Sequence, residues 1–444
     1  MKVNTSIFRS YDIRGIYPEE LNKETAFKIG QAFVEYTKAE HIVVGRDMRI
    51  SSPELFESLV RGITSQGANV YNIGLVPTEG VYFAVSHYDY NAGIMVTASH
   101  NPKEYNGFKL VHNKETQFPE VVQGKDLIEI IEKDNFQESE KMGRVEEKNI
   151  WQDYINHIFS FIDVENIRPL KVVIDAGNGM AGKVMPLIKE RLPIEIINLN
   201  FNLDGNFPAH PSNPLEEGAS NQIGEEVKKQ KADLGFIFDG DADRIYLIDE
   251  KGGFIRSDVS LLLLAKYFLE KNPGTAIAYN AICSKATPEF IEKWGGKPIR
   301  TKVGFINVQR AIQENKGAMG GEISGHFSFK DNDYLDSGFI AFLVLLQVIS
   351  NSDKKVSEIT QELSPYFKSS ELNFEVKDKE KTIEKFKKKY SDGKQDYLDG
   401  ATIEYEDWWF NVRSSNTEPL LRLTIEADTE ELLQQKIKEL TSLF

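Results

Sequence analysis

Leu234-Gly235-Phe236-Ile237-Phe238-Asp239-Gly240-Asp241-Ala242-Asp243-Arg244-Ile245-Tyr246-Leu247-Ile248 is an apolar run, an acidic loop and a second apolar run. Short continuous apolar runs suit strands buried on both faces. The aspartates therefore fall on the loop joining two strands. Three aspartates at alternate positions converge on a hard cation through oxygen ligands, while Gly240 and Ala242 keep the loop tight. An EF-hand loop would also want Asp at this spacing, and Glu250 falls at its twelfth position. Arg244 occupies the place where that loop needs glycine, and the flanks are strand-like, which excludes it. A solvated acidic turn is the plainer alternative, and the spacing and the adjoining arginine outweigh it.

Working outward, short β-branched runs alternate with longer amphipathic segments, the pattern of βαβ units. Strand-like runs lie at 41–44, 93–97, 171–175, 234–238, 244–248 and 275–279; helix-like segments lie at 23–38, 52–66, 261–271 and 339–350. Ser52 and Ser352, each followed closely by acidic residues, read as helix caps. The chain has 444 residues, which at roughly 100–200 residues per domain implies two to four domains. Breaks in composition put these at 1–150, 151–253, 254–367 and 368–444, three α/β units and a smaller α+β unit ending in a helix near 430–440. Fifty-three Lys+Arg against 68 Asp+Glu give a net charge of −15. That balance argues against a nucleic-acid or anionic-membrane partner, though a few local arginines can still hold a phosphate. Cys283 is the single cysteine, so there is no internal disulfide and no thiolate metal site. No apolar run approaches the ~20 residues of a membrane span, and the N-terminus lacks a signal-peptide pattern. A cytoplasmic protein, monomer or homodimer, is the expectation.

Three further stretches carry chemistry. Thr97-Ala98-Ser99-His100-Asn101-Pro102 follows an apolar run, which puts Ser99 on a loop at a sheet edge, where α/β folds bind ligands. Asn106-Gly107 reads as a turn that brings Lys109 back beside Ser99, where a lysine of lowered pKa would serve as base. Gly320-Gly321-Glu322-Ile323-Ser324-Gly325-His326 combines donors and acceptors suited to sugar hydroxyls. Arg413-Ser414-Ser415-Asn416-Thr417-Glu418-Pro419 offers an arginine, hydroxyls and free backbone N–H groups to a phosphate. Singly, the serine loop is matched by any helix-capping serine and the other two by ordinary polar turns.

Together and in this order, the four stretches resemble the α-D-phosphohexomutase family, nearest its bacterial phosphomannomutase/phosphoglucomutase branch. Phe8-Arg9-Ser10-Tyr11-Asp12-Ile13-Arg14-Gly15 and Gly45-Arg46-Asp47-Met48-Arg49 add two more matches, so the resemblance spans essentially the whole chain. It implies a four-domain, heart-shaped α/β architecture of three related mixed-sheet domains and a smaller α+β domain. It implies reversible phosphoryl transfer between C1 and C6 of a hexose phosphate through a phosphoserine and a hexose 1,6-bisphosphate. By that resemblance Ser99 is the phosphoserine, and Asp239, Asp241 and Asp243 bind one magnesium ion with it. Lys109 is the general acid/base, with Arg14 and His100 beside it and His326 assisting. Tyr11, Arg244, Lys302, Glu322 and Ser324 face the sugar, and Arg413, Ser415, Asn416 and Thr417 grip the idle phosphate. Glucose 1,6-bisphosphate is the implied activator.

The chain departs from the pattern in its third unit. Dual-specificity members carry a lysine at a strand end and a Gly-His pair; here the stretches read Asn280-Ala281-Ile282-Cys283-Ser284 and Val303-Gly304-Phe305. Ile282 and Phe305 thus stand where sugar contacts are usual, with Lys302 a substitute, and glucose and mannose both remain open. Lys103 replaces the second proline usual after the serine loop. Phosphoglucosamine mutases, the runner-up within the family, usually read Ser-Ala-Ser-His-Asn-Pro and Ser-Gly-Thr, and Thr97 and Asn416 both point away from that branch. A non-catalytic sugar-phosphate binder would be expected to lose Ser99, Lys109 or an aspartate. A haloacid-dehalogenase-type phosphatase wants Thr or Val where Asp243 stands.

Overall fold

The apolar runs become the central strands of sheets. In the computed structural model, which describes residues 3–9, 11–113, 118–137, 139–415 and 420–444, the chain forms two compact units. Met1–Ile255 with Ser324–Val356 is one, and Arg256–Ile323 with Ser357–Phe444 the other.

The first unit holds two mixed sheets. One has β1 (Ile13–Ile16), β2 (His41–Arg46), β3 (Asn69–Leu75), β4 (Ala92–Val96), β5 (Tyr105–Asn113), β6 (Pro119–Val122) and β7 (Val145–Glu147). Its order is β1-β5-β4-β2-β3-β7, with β6 on the flank of β5. β2 runs parallel to β3 and β4, whereas β5 is antiparallel to β4 and β1. The parallel crossovers are α1 (Lys23–Thr37), α2 (Ser52–Ser65) and α3 (Thr78–His87). The second sheet has β8 (Lys171–Asp175), β9 (Glu195–Leu199), β10 (Leu234–Phe238), β11 (Ile245–Ile248) and β12 (Phe254–Ile255), ordered β12-β11-β10-β8-β9. β8, β9 and β10 are parallel and β11 turns back antiparallel to β10. The acidic loop is therefore a tight connection at the carboxyl end of a buried strand. Helix Gly338–Ser350 is buried on all sides, and Phe339 and Phe342 pack on Phe238 and Phe236 of β10. A helix apolar all round belongs in a core.

In the second unit, Ala276–Asn280 lies between parallel strands Lys297–Thr301 and Met319–Gly321. The C-terminal segment is an antiparallel sheet in which Trp408–Ser414 pairs with Ala401–Glu404 and with Leu420–Ala427. Helices Lys379–Lys389 and Glu430–Thr441 contribute Phe386, Leu433 and Leu440 to its core. Among the described residues no helix is long and apolar enough to cross a membrane.

Three local expectations differ from the fold. Asn106-Gly107 is no turn but lies inside β5, because its neighbours pair with β1 and β4. Lys109 reaches its position by strand pairing, opposite Met95. Ser51, not Ser52, precedes α2, since the Ser52 hydroxyl is used instead to donate to Asp47 Oδ1 at 2.5 Å. Ser352 stands several residues before helix Val356–Glu362 and accepts from the Lys354 N–H at 3.2 Å.

α1 and α2 pack so closely that a Cβ on Gly62 would lie 2.0 Å from the Phe27 carbonyl oxygen. Alanine in a helix interior ordinarily stabilises by about 1 kcal/mol relative to glycine. Here Gly62→Ala is expected to destabilise by about 1–3 kcal/mol, since the backbones must separate. The midpoint of denaturant unfolding measures it, and a raised midpoint would contradict the close contact.

Candidate active site

The site in the first unit is built from two loops at strand ends. β4 delivers Ser99 and β10 delivers the three aspartates. A Cβ on Gly240 would sit 2.7 Å from the Ser99 carbonyl oxygen, so glycine lets the two loops touch. Ser99 is fully buried with φ +51°, an uncommon left-handed conformation for a side-chain-bearing residue. Its hydroxyl lies 3.0 Å from Asp239 Oδ2, to which it donates, and 3.4 Å from His100 Nδ1.

Asp239, Asp241 and Asp243 are buried, and one ligand atom of each lies within 4.8 Å of the others. Asp241 accepts from the Thr78 and Thr97 hydroxyls, the latter at 3.3 Å. Lys109 Nζ donates to Asp241 Oδ2 at 2.7 Å and also to Asp243 Oδ2. Burial, then repulsion from Asp241 and Asp243, pushes Asp239 well above the usual carboxylate range; Asp243 rises for the same reasons. Burial acts on Asp241 too, but the Lys109 charge outweighs it and holds that carboxyl below its ordinary value. Oδ1 of Asp241 and Oδ1 of Asp243 are buried without a hydrogen-bond partner among the described residues. Orphaned buried carboxylate oxygens in an all-oxygen set fit a small, hard divalent cation.

The lysine departs from expectation. Burial would lower its pKa, yet the charges of Asp241 and Asp243 prevail and raise it above the ordinary lysine range. Beside bare aspartates Lys109 is held protonated, not the lysine of lowered pKa that the sequence led us to expect.

The remaining charges are ordered. Arg14 Nε donates to Asp12 at 2.7 Å, and its Nη1 to the Ala98 carbonyl at 3.2 Å and to Asn101 Oδ1 at 2.5 Å. Arg244 Nε donates to His326 Nε2 at 3.2 Å and lies 3.6 Å from Asp239. His326 Nε2 is thus an acceptor, so Nδ1 carries the proton and donates to Ser324 Oγ at 3.0 Å. Burial first, then Arg244, hold His326 well below the usual imidazole range; the same two causes act on His100. Both histidines are neutral. Tyr11 lies at the start of this unit, partly exposed.

Several partners had no signal in the sequence. Asp336 lies 3.7 Å from His326 Nε2, and burial, then Asp243, raise its pKa to about 8. Glu79 of α3 accepts from the Ser337 hydroxyl and from the Phe339 N–H at 3.3 Å. The Asp47–Arg49 pair lies within a noted motif that suggested no role.

The second unit carries Lys302, Glu322, Arg413 and Ser415. Glu322 Oε1 accepts from Gly304 N–H at 2.6 Å and from Asn280 Nδ2 at 3.2 Å. Lys302 is exposed at the end of Lys297–Thr301. Arg413 sits opposite Arg422 on paired strands, and Glu371 accepts from both, at 2.5 and 2.9 Å. Ser415 is buried, its N–H bonded to the Leu420 carbonyl at 2.9 Å. Asn416 and Thr417 lie outside the described residues.

Family models described as phosphoglucomutase/phosphomannomutase alpha/beta/alpha domains I, II and III match residues 5–138, 152–253 and 256–367, and the C-terminal domain model matches 371–442. Phosphomannomutase of Escherichia coli (strain K12) is 37% identical over 430 residues, 95% of this chain and 94% of that protein. Phosphomannomutase of Methanocaldococcus jannaschii is 35% identical over 440 residues, 98% of this chain and 97% of that protein. A crystal structure of a phosphoglucomutase/phosphomannomutase family protein from Burkholderia thailandensis superposes with TM-score 0.89 at 32% identity, covering 99% and 97% of the two chains. The four-domain α/β fold is that of enzymes that move phosphoryl groups. The chain belongs to the phosphoglucomutase/phosphomannomutase family, and its reaction is intramolecular phosphoryl transfer on a hexose phosphate.

A third histidine of this unit has a raised pKa. His210 Nδ1 faces the Pro211 carbonyl at 2.8 Å and Nε2 faces Asp175 Oδ2 at 3.2 Å. Two acceptors require two N–H groups, hence an imidazolium. Burial would lower its pKa, but Asp175 outweighs that and raises it. The stability this adds is complete below the unfolded value of about 6.5 and is lost as pH rises through the raised folded value. His210→Gln is expected to cost about 1–2 kcal/mol at pH 5.5 and less at pH 9. Denaturant midpoints across that range measure the difference; an equal loss at both ends would rule out the charged form.

Proposed function

We propose that Ser99 carries the phosphoryl group and rests phosphorylated between turnovers. The observation that supports this most directly is the Ser99 hydroxyl, buried and bonded to Asp239 at the edge of the three-carboxylate cluster. Asp239, Asp241 and Asp243 would hold one magnesium ion, which supplies charge stabilisation to the phosphoryl oxygens in flight. Arg14, on β1 and bonded to the Ser99 loop, and Arg244, at the end of the aspartate loop, add fixed positive charge where negative charge spreads. Lys109, kept protonated by the aspartates, gives its proton to the Ser99 oxygen as the phosphoryl group leaves, and its freed amine takes up the proton that the attacking sugar hydroxyl gives up.

A hexose 1-phosphate accepts the phosphoryl group of Ser99 at its 6-hydroxyl, giving a 1,6-bisphosphate and free Ser99. The bisphosphate turns, and Ser99 takes the 1-phosphate back, releasing the hexose 6-phosphate. His326 and His100, neutral at rest, assist by taking up a hydroxyl proton and returning it. Glu322 and Ser324, with Tyr11 and Lys302, are assigned to sugar hydroxyls, and Arg413, Ser415, Asn416 and Thr417 to the phosphate that is not reacting. In the same proposal residues 1–150, 151–253, 254–367 and 368–444 divide these tasks, glucose 1,6-bisphosphate primes Ser99, and the substrates are mannose and glucose 1-phosphates. The enzyme would work in the cytoplasm as a monomer or homodimer.

Turnover of glucose 1-phosphate and mannose 1-phosphate, with magnesium and a trace of glucose 1,6-bisphosphate, tests this. Ser99→Ala is expected to lower kcat by at least about 10³-fold. Activity near wild type would remove Ser99 from the mechanism. Arg413→Ala is expected to raise KM by about 10–100-fold, the worth of a charge-assisted hydrogen bond, and to release bisphosphate during turnover. An unchanged KM with no bisphosphate in solution would deny it the phosphate.

A further inference from the structure

The Gly45-Arg46-Asp47-Met48-Arg49 stretch is used by none of the steps above, yet it lies directly under the serine loop. We propose that Arg49 is a positioning residue for Ser99, holding the loop backbone by its carbonyl groups with Ser212 as a second brace. The inference rests on Ser99 being the phosphoryl carrier.

Arg49 is 1% exposed. Its Nη2 donates to the carbonyls of Ser99 and Asn101, both at 2.7 Å, and its Nη1 to those of Pro102 at 2.8 Å and Tyr105 at 3.0 Å. Nε donates to Asp47 Oδ2 at 3.2 Å. A guanidinium has five N–H donors in a rigid plane, and here five acceptors receive them. Asp47 is in turn fixed by the Arg49 N–H at 3.0 Å and the Ser52 hydroxyl, and its own N–H donates to the Val96 carbonyl at the end of β4 at 3.0 Å. The plane of the guanidinium is therefore set by the sheet that carries the loop. Ser212 Oγ lies 2.7 Å from the His100 carbonyl and 3.0 Å from that of Asn101.

This arrangement explains how a serine keeps φ at +51°. Such a conformation persists only where the surroundings over-determine it. The Ser99 N–H is held by Thr97 Oγ1 at 2.8 Å and the Ser99 carbonyl by Arg49, so the backbone is fixed on both sides of Cα. The direction of the Cβ–Oγ bond follows, and it carries Oγ to Asp239. The carbonyl oxygens of residues 98–102 are also each engaged by a side-chain donor, Arg14 taking that of Ala98. Their negative ends are thereby bound to donors and not left to oppose a phosphoserine dianion.

Lysine at position 49 would keep the charge but offer three donors from one point in place of a fork. The test compares wild type, Arg49→Lys and Ser99→Ala for kcat and KM on glucose and mannose 1-phosphates, with thermal unfolding in parallel. Arg49→Lys is expected to lose roughly 10²-fold in kcat, the cost of an ångström-scale misplacement, with KM within about threefold of wild type. Guanidinium ion added to Arg49→Ala should restore part of the lost kcat, which a general folding defect would not allow. A folded Arg49→Lys with kcat within about twofold of wild type, beside an inactive Ser99→Ala, overturns the proposal alone. An active Ser99→Ala overturns the phosphoserine reading and this one with it. Should neither Arg49 variant fold, Ser212→Ala decides: a loss of about fivefold or more in kcat at unchanged KM supports the brace, and an unchanged kcat overturns it.

Discussion

Three carboxylates are buried within a few ångströms of one another, and the rest of the first unit is arranged around that repulsion. Isolated buried charges cost several kcal/mol each even after relaxation, so the fold must bring cations or donate hydrogen bonds. It does both. Lys109 comes from one sheet and Arg244 from the end of the other, while Thr78 and Thr97 turn hydroxyls onto Asp241. The balance is incomplete: Asp239 and Asp243 are pushed upward and two of the oxygens stay unmatched. A site left short of positive charge in this way is ready for a cation and for the reaction that the cation serves.

The same constraint explains why the loops are so closely bound to the strands beneath them. Ser99 is brought against an aspartate that burial has already made hard to ionise, and small shifts of either loop would change that contact. The Gly240 approach fixes the distance between the loops, and Arg49 with Asp47 fixes the serine loop to β4. Neutral His100 and His326 complete the pattern, because two more cations there would relieve the shortage of positive charge.

Whatever is contiguous was legible in the sequence. The aspartate loop and the serine loop announce themselves, since the polar residues of each lie within six positions and follow an apolar run. The strands were legible because burial on both faces leaves uninterrupted apolar runs, as in Leu234–Phe238. Residues that act through space were not. Nothing near Asp336 or Glu79 marks them as neighbours of His326 and Ser337, and Ser212 meets the His100 carbonyl across 112 positions. Asn106-Gly107 carried a turn signal that pairing with β1 and β4 overrode, a case of tertiary context prevailing over local preference. The lysine pKa was misjudged because its two carboxylate partners lie more than 130 residues away.

Glu371 gives the second unit a different character. It bridges Arg413 and Arg422, two like charges facing each other on adjacent strands. Without it they would repel, so the arginines are never bare. Any phosphate drawn to Arg413 meets a resident anion and must exchange with it, as a solute exchanges on a charged resin. The carboxylate stays tethered nearby and is ready to return, so departure is assisted as surely as arrival is resisted. A surface of this kind trades affinity for turnover, as the proposed grip on an idle phosphate would require.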